Sequence, residues 1–341
     1  TIVAVGKNFT SKYEGLFAIV DGNSGKIYID PDESTITRFK EIKKTDDSQK
    51  SHLEEFRGKI TVTRSGRKIN LYANSGSLAD IDLIKASDAE GIGLFRSEYI
   101  FMQAHDYPTE DYQLDIYKNV LEQMEGKKVI IRTLDIGADK TAEYFMLKPE
   151  DNPAMGVRAI RLCLQNKAIF KTQLRALYRA SVYGNLSIMV PLITSVEEVL
   201  ETKKIIQEVK TELKQQNLAF NDNVEFGIMI ETPAAALISD ELAKVVDFFS
   251  IGTNDLTQFT LAADRQNADL TKYLNPYHHA VVRLIEMTIQ NAHACGIWVG
   301  ICGELASDEK FLGKLIQLQV DEMSVVPSSV LTLRAKIASL G

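Results

Sequence analysis

The stretch Glu225-Phe226-Gly227-Ile228-Met229-Ile230 is almost wholly apolar, and it stops abruptly at Glu231-Thr232-Pro233. A run this short, closed by a carboxylate, a capping residue and a proline, reads as a strand buried on both faces that turns into a helix. The same grammar follows at Asp247–Ile251, which leads into Gly252-Thr253-Asn254-Asp255, and at Trp298–Ile301, which leads into Cys302-Gly303-Glu304. Working outward, further strands are predicted at Ile69–Ala73, Gly91–Phe95, Lys128–Thr133, Leu186–Val190 and Glu322–Val325. Helical patterns lie between them. Val196, Leu200, Ile205, Val209 and Leu213 are expected to line one face of a long amphipathic helix. Eight such strands alternating with helices predict an α/β fold, a (β/α)8 TIM-type barrel; an open doubly wound sheet is the alternative.

Ahead of the barrel the pattern changes. Leu16–Val20, the turn residues Asp21-Gly22-Asn23-Ser24-Gly25 and Ile27–Ile29 predict a short β-hairpin segment. From Asp32 to Gly58 the chain is highly charged, with Ile36, Phe39 and Ile42 at helical spacing. Asp46-Asp47-Ser48 is expected to break that helix before a second short one near Leu53 and Phe56. The expected organisation is therefore 1–31 strand and hairpin, 32–58 a solvated helical linker, and 59–341 the barrel.

Of the 341 residues, 45% are hydrophobic, enough for a substantial core without covalent staples. The formal net charge of −7 argues against nucleic acid as a partner. No apolar run reaches the ~20 residues of a membrane span. Three cysteines, Cys163, Cys295 and Cys302, make no disulfide framework in a chain of this length, which points to a reducing, cytoplasmic setting. Cys163 and Cys295 fall in helical patterns and read as packing residues.

The chemistry-bearing residues cluster at the carboxyl ends of the predicted strands, where barrel enzymes place their sites. Glu231 and Asp255 follow adjacent strands, and two oxygen ligands suit Mg²⁺, which completes its shell with water and substrate oxygens. Each could instead only cap its helix. Arg96, Arg132 and Arg265 put three positive charges on one rim, an arrangement that an anionic phosphorylated or carboxylated ligand would relieve. Ordinary ion pairing with Glu98 or Asp264 is the plainer reading of any one of them. Cys302 is a candidate acid or nucleophile, against the plainer reading of a small buried hydrophobe.

Six ordered segments then carry a resemblance. They are Gly93–Met102 (GLFRSEYIFM), Ile131–Lys140 (IRTLDIGADK), Asn152–Arg161 (NPAMGVRAIR), Glu231–Ala235 (ETPAA), Ser250–Gln258 (SIGTNDLTQ) and Cys302–Ala306 (CGELA). Together they resemble the C-terminal phosphoenolpyruvate-binding domain of enzyme I of the bacterial phosphotransferase system. The resemblance implies that Arg96, Arg132, Arg265, Asn254 and Asp255 touch phosphoenolpyruvate, that Arg158 and Lys140 line the site, that Glu231 and Asp255 hold Mg²⁺, and that Cys302 is the general acid–base. It implies phosphoryl transfer from phosphoenolpyruvate to a histidine on a separate N-terminal domain, release of pyruvate, passage through that domain to a phosphocarrier protein of sugar transport, and a homodimer. None of the five histidines, His52, His105, His278, His279 and His293, has the Gly-Gly-x-Thr-Ser-His context of the family's acceptor. Residues 1–31 are accordingly read as the end of a phosphohistidine domain. His278 and His279 are placed at the start of a helix running through Val281, Val282, Leu284 and Ile285. Two other readings stand beside this one: a phosphoenolpyruvate-sensing dimerisation module without catalysis, and a Mg-dependent enolate lyase barrel.

Overall fold

In the computed structural model, which describes residues 11–22, 24–137 and 142–341, the chain divides into two compact units, 1–57 and 58–341. Lys140 and the first ten residues lie outside the described residues.

The smaller unit contains an antiparallel hairpin, β1 (Ala18–Asp21) with β2 (Lys26–Ile29), and a helix, Glu33–Glu54. Asp32 caps the helix by accepting a hydrogen bond from the Thr35 amide at 2.8 Å. The rings of Tyr28 and Phe39 meet at 5.0 Å, so hairpin and helix share a small apolar contact. The break expected at Asp46-Asp47-Ser48 is absent, and one helix of 22 residues runs through it. Asp and Ser in a helix interior cost only a few tenths of a kcal/mol each, and without Gly or Pro that is too little to stop it.

The larger unit is a closed barrel of eight parallel strands: β3 (Asn70–Ser75), β4 (Gly91–Arg96), β5 (Lys128–Arg132), β6 (Asn185–Val190), β7 (Glu225–Ile230), β8 (Phe248–Gly252), β9 (Trp298–Cys302) and β10 (Glu322–Val325). Each pairs with the next in sequence, and β10 closes on β3. The open-sheet alternative is thereby excluded. Outward residues such as Ile92, Ile131, Ile188, Ile228, Phe249 and Ile301 pack under the surrounding helices in one large core. Inward residues form a separate, smaller cluster of Tyr72, Leu94, Ile130, Met189, Met229, Phe248 and Cys302, with Trp298 packed against it. Trp298 stacks on Phe248, centroids 4.4 Å apart and planes 5° off parallel, at the amino ends of β9 and β8. The β4 ladder is irregular between Ile92 and Phe95.

Helix ends follow the local sequence. Ser195 and Glu198 form a capping box at the start of Val196–Gln215. Val199, Ile205, Val209 and Leu213 of that helix are buried, but Leu200 is 51% exposed. The buried stripe falls on positions 199, 205, 206, 209 and 213, one residue away from Leu200, which lies outside the arc covered by the barrel. His278 caps Ala280 through Nδ1 (3.2 Å), and the helix His279–Ala294 follows as expected. Cys163 is buried, whereas Cys295 is exposed, because it comes just after the last turn of that helix and beyond its packed face. No helix among the described residues is long and apolar enough to cross a membrane.

Candidate functional site

Seven of the nine residues expected at the site come together. Arg96, Arg132, Glu231, Asn254, Asp255, Arg265 and Cys302 line one cavity of about 210 Å³ at the carboxyl ends of the strands, with Leu94, Asp135, Met229, Gly252 and Gly303. Arg158 reaches the same cluster from the side. Its Nη2 lies 3.6 Å from Asp255 Oδ2, and it lines an adjoining cavity of about 560 Å³ together with Asp255 and Arg265. For Lys140, outside the described residues, no position follows.

Most of these side chains are delivered at or just past a strand end, whereas Arg265 follows the helix Thr253–Leu261. Arg132 is the last residue of β5 and Cys302 the last of β9. Glu231 follows β7, and Thr232 behind it caps the next helix by accepting from the Ala235 amide (3.1 Å) while donating to the Ile193 carbonyl (2.8 Å). Glu231 Oε1 accepts from the Leu192 amide at 2.7 Å, so one oxygen is fixed by the backbone. The β8 and β9 loops are stitched together. Thr253 Oγ1 donates to the Cys302 carbonyl (2.9 Å), and Asn254 Oδ1 accepts from the Glu304 amide (3.0 Å). Gly303 between them has φ +91°, and a Cβ there would fall 2.3 Å from Thr253 Oγ1. Only glycine permits both the backbone and the approach.

Charge in the cluster is balanced rather than positive. Arg132 pairs with Glu98 and, at 3.0 Å, with Asp135; Arg158 Nη2 is 2.8 Å from Asp135; Arg265 Nη2 is 3.4 Å from Asp255. The expectation that the rim arginines repel one another without a ligand is corrected for Arg132 and Arg265: Glu98 and Asp135 stand beside the first and Asp255 beside the second. Asp264 is not the partner of Arg265. Burial alone would loosen the protons of Arg132 and Arg158, yet Asp135, with Glu98 for the first and Asp255 for the second, more than reverses that.

The balance is nevertheless incomplete. Burial, then repulsion from Asp255 and Asp135, pushes the Glu231 carboxyl up to about 8 despite Arg132 and Arg158. Arg132 Nε, Arg158 Nε and Asp255 Oδ1 are buried with no hydrogen-bond partner among the described residues. Buried polar atoms left this way call for an explanation, and beside a charged cavity a bound ligand or ion is one. No group of three or more His, Cys, Asp and Glu among the described residues is arranged to hold a metal ion. Cys302 is 3% exposed; burial pushes its thiol up to about 12, against a hydrogen bond from Ser250 Oγ at 3.7 Å. It is a firmly protonated thiol.

Sequence reading did not assign a role to Asp135, the carboxylate shared by two arginines, nor to Met229, whose sulfur lies 3.8 Å from Arg132 Nη1. The signal for Asp135 was its place three residues after Arg132, just past a strand end. None of the five histidines lines either cavity.

A closed eight-stranded parallel barrel with a charged cavity at the carboxyl ends of its strands defines the class, a (β/α)8 barrel. Residues 50–341 match the family described as PEP-utilising enzyme, PEP-binding domain, and the chain belongs to that family. Phosphoenolpyruvate-protein phosphotransferase of Bacillus subtilis (strain 168) is 46% identical over 326 residues, covering 96% of this chain and 57% of that protein. Its counterpart in Staphylococcus carnosus (strain TM300) is 42% identical over 335 residues, 98% of this chain and 58% of that one. The chain thus spans a little over half the length of the curated relatives it matches. Among solved structures, an HpcH/Hpal aldolase/citrate lyase family protein from Burkholderia cenocepacia J2315 aligns with a TM-score of 0.50 at 12% identity, over 80% of this chain and 93% of that one, a likeness of fold alone.

Proposed function

We propose that this chain binds phosphoenolpyruvate with Mg²⁺ and supports transfer of its phosphoryl group to a histidine on a separate phosphohistidine domain, releasing pyruvate, as the opening step of sugar phosphotransfer. The observation that carries this reading is the single cavity shared by Arg96, Arg132, Arg265, Asn254, Glu231, Asp255 and Cys302. Residues 1–31 are read as the end of that phosphohistidine domain, 32–58 as the linker and 59–341 as the phosphoenolpyruvate-binding barrel. A phosphocarrier protein downstream and a homodimer belong to the same proposal.

The residues fit the metal. Glu231 has one oxygen held by Leu192 and a carboxyl that prefers its proton, and Asp255 Oδ1 lacks a hydrogen-bond partner among the described residues. Two carboxylates, with no group of three ligands among the described residues, suit Mg²⁺ shared with a substrate and suit a closed protein cage poorly. When bound, Mg²⁺ supplies charge neutralisation at phosphoryl and enolate oxygens. The arginines grip the phosphoryl and carboxylate groups through charge-assisted hydrogen bonds, which position the donor and stabilise charge on the leaving enolate. Asp135 keeps Arg132 and Arg158 oriented toward the cavity. Cys302, protonated and at the cavity wall, donates its proton to the methylene carbon of the enolate to give pyruvate.

Incubation with radiolabelled phosphoenolpyruvate and Mg²⁺, with and without an added phosphohistidine domain, tests the whole reading. Acid-labile label is expected on the added domain alone. Label on this chain by itself would overturn it, because one of its own histidines would then be the acceptor.

A further inference from the structure

Outside the cavity lies a polar network that the proposed reaction does not use. At its centre is Gln173, in the helix Lys167–Ala180, only 1% exposed. An amide this deep in an apolar layer needs every one of its hydrogen bonds. Gln173 has them. Its Oε1 accepts from the Leu134 amide at 2.9 Å, and its Nε2 donates to Ser97 Oγ at 3.0 Å and to the Tyr117 hydroxyl at 3.1 Å. The amide can face only one way, because its oxygen alone can meet the Leu134 N–H. Tyr117 in turn donates to Gln113 Oε1 (3.2 Å), and Gln113 Nε2 donates to the Pro108 carbonyl (3.0 Å), so the network ends on backbone. Ser97, Tyr117 and Gln113 are all fully buried.

The two loops that Gln173 joins are the ones that hold Arg132. The β5 ladder ends where the Thr133 amide donates to the Met189 carbonyl, and the buried Leu134 follows one residue later. Its amide needs a partner from elsewhere, and Gln173 is that partner. Ser97 comes one residue past β4, and its hydroxyl is the other end of the bridge. The residue after Ser97 is Glu98, and the residue after Leu134 is Asp135. These are the two carboxylates paired with Arg132. The residue before Ser97 is Arg96, on the cavity wall. A side chain that does not line the cavity thus ties both flanks of the arginine, from 39 and 76 residues away in sequence.

We infer that Gln173 is a positioning residue for phosphoenolpyruvate binding and phosphoryl transfer: it sets the spacing of Glu98 and Asp135, and through them the direction of the Arg132 guanidinium. The inference deepens the function proposed above and rests on it. A guanidinium held by two carboxylates points where they point, and it recognises an anion through a fixed fork of donors. Release of one loop from the other turns that fork, and a misplacement of about 1 Å is enough to cost a positioned reaction heavily. The residue type suits the place. Glu would offer no N–H to Ser97 and Tyr117 and would add a negative charge behind Glu98 and Asp135. Asn is one methylene too short to span the two loops.

Gln173→Met in the full chain keeps the length of the side chain and removes all three hydrogen bonds. Calorimetry with phosphoenolpyruvate and Mg²⁺, well below the unfolding midpoint, is expected to show Kd raised about tenfold, and pyruvate release with an added phosphohistidine domain should show kcat lowered about tenfold or more. Tyr117→Phe is the control for stability alone. It breaks the same network on the side away from the loops and leaves Gln173 bonded to Ser97 and Leu134. It should lower the urea midpoint while Kd and kcat stay parental. Ser97→Ala cuts one arm of the bridge and carries the test where Gln173→Met does not fold; a smaller rise in Kd and fall in kcat are expected. Parental Kd and kcat in folded Gln173→Met, or in Ser97→Ala in its place, would make Gln173 a packing residue and overturn this inference alone. Equal losses in Gln173→Met and Tyr117→Phe would overturn it too, since lost stability would then account for both. A parent chain that binds no phosphoenolpyruvate would overturn the proposed function, and this inference with it.

Discussion

The two ends of the barrel hold buried arginines in opposite conditions. At the amino-terminal end Arg334, 1% exposed, is saturated. Its Nε donates to Thr61 Oγ1 (3.1 Å), Nη2 to the Asp88 carbonyl (2.6 Å) and Nη1 to the Asp88 carboxylate, and Glu90 stands 3.9 Å away. At the carboxyl end Arg132 and Arg158 each keep an Nε with no hydrogen-bond partner among the described residues, beside a carboxyl pushed up to about 8. The first network ties the last helix, Val330–Ser339, to the segment before β3 and the turn before β4. The second is left unfinished. The lesson is that a buried ion cluster reads as structural or functional according to whether its hydrogen bonds close, and not according to its charge.

The largest effect is expected where the network closes. Arg334→Ala takes the guanidinium from the partly buried Asp88 carboxylate, which keeps the Gly58 amide at 2.7 Å, and from Thr61, and should cost about 3 kcal/mol of stability. Urea unfolding would show it as a lower midpoint, with phosphoenolpyruvate affinity unchanged below that midpoint. A loss under ~1 kcal/mol would break the contrast between the ends.

At the open end the pattern should invert. Arg265, 39% exposed, makes one ion contact with Asp255. Arg265→Ala should change stability by less than ~1 kcal/mol but weaken phosphoenolpyruvate binding by about 2 kcal/mol, read by calorimetry with Mg²⁺ present. Parental affinity would assign this arginine to Asp255 alone.

A smaller effect sharpens the comparison. The folded chain raises the Glu231 carboxyl from 4.5 to about 8, so it favours the protonated form. Its contribution to stability is complete below about pH 4.5 and is lost as pH rises through 8. In chelator, Glu231→Gln should therefore be more stable than the parent by about 1–2 kcal/mol at alkaline pH, the gap closing toward pH 5. Saturating Mg²⁺ should close the same gap from the other side. A gap that does not vary with pH would remove Glu231 from the strained cluster.

Much of this was legible in the sequence, for a physical reason. Strands buried on both faces are short apolar runs, and all eight were visible to within one or two residues at either end. The residues just past those runs were visible as polar breaks, which is why seven of the nine expected site residues share one cavity. What stayed hidden depends on facing and on pairing. Leu200 fits a helical pattern, yet one step of rotation leaves it in solvent. Asp135 sits in plain view beside Arg132, but its bond to Arg158 spans 23 residues that no local rule connects. Glu322 opens a predicted strand, and only the closure of β10 against β9 and across to β4 shows that Gly93 and Gly300 were vacated for it.

The stacking of Trp298 on Phe248 has an optical consequence. The chain contains one tryptophan, so its fluorescence comes from a single site. That site is at the foot of β9, four residues before Cys302, or about 13 Å along the strand from the cavity wall. Its emission should report the opening of the barrel and stay nearly silent when a ligand fills the far end, so one intrinsic probe separates unfolding from binding in every variant above.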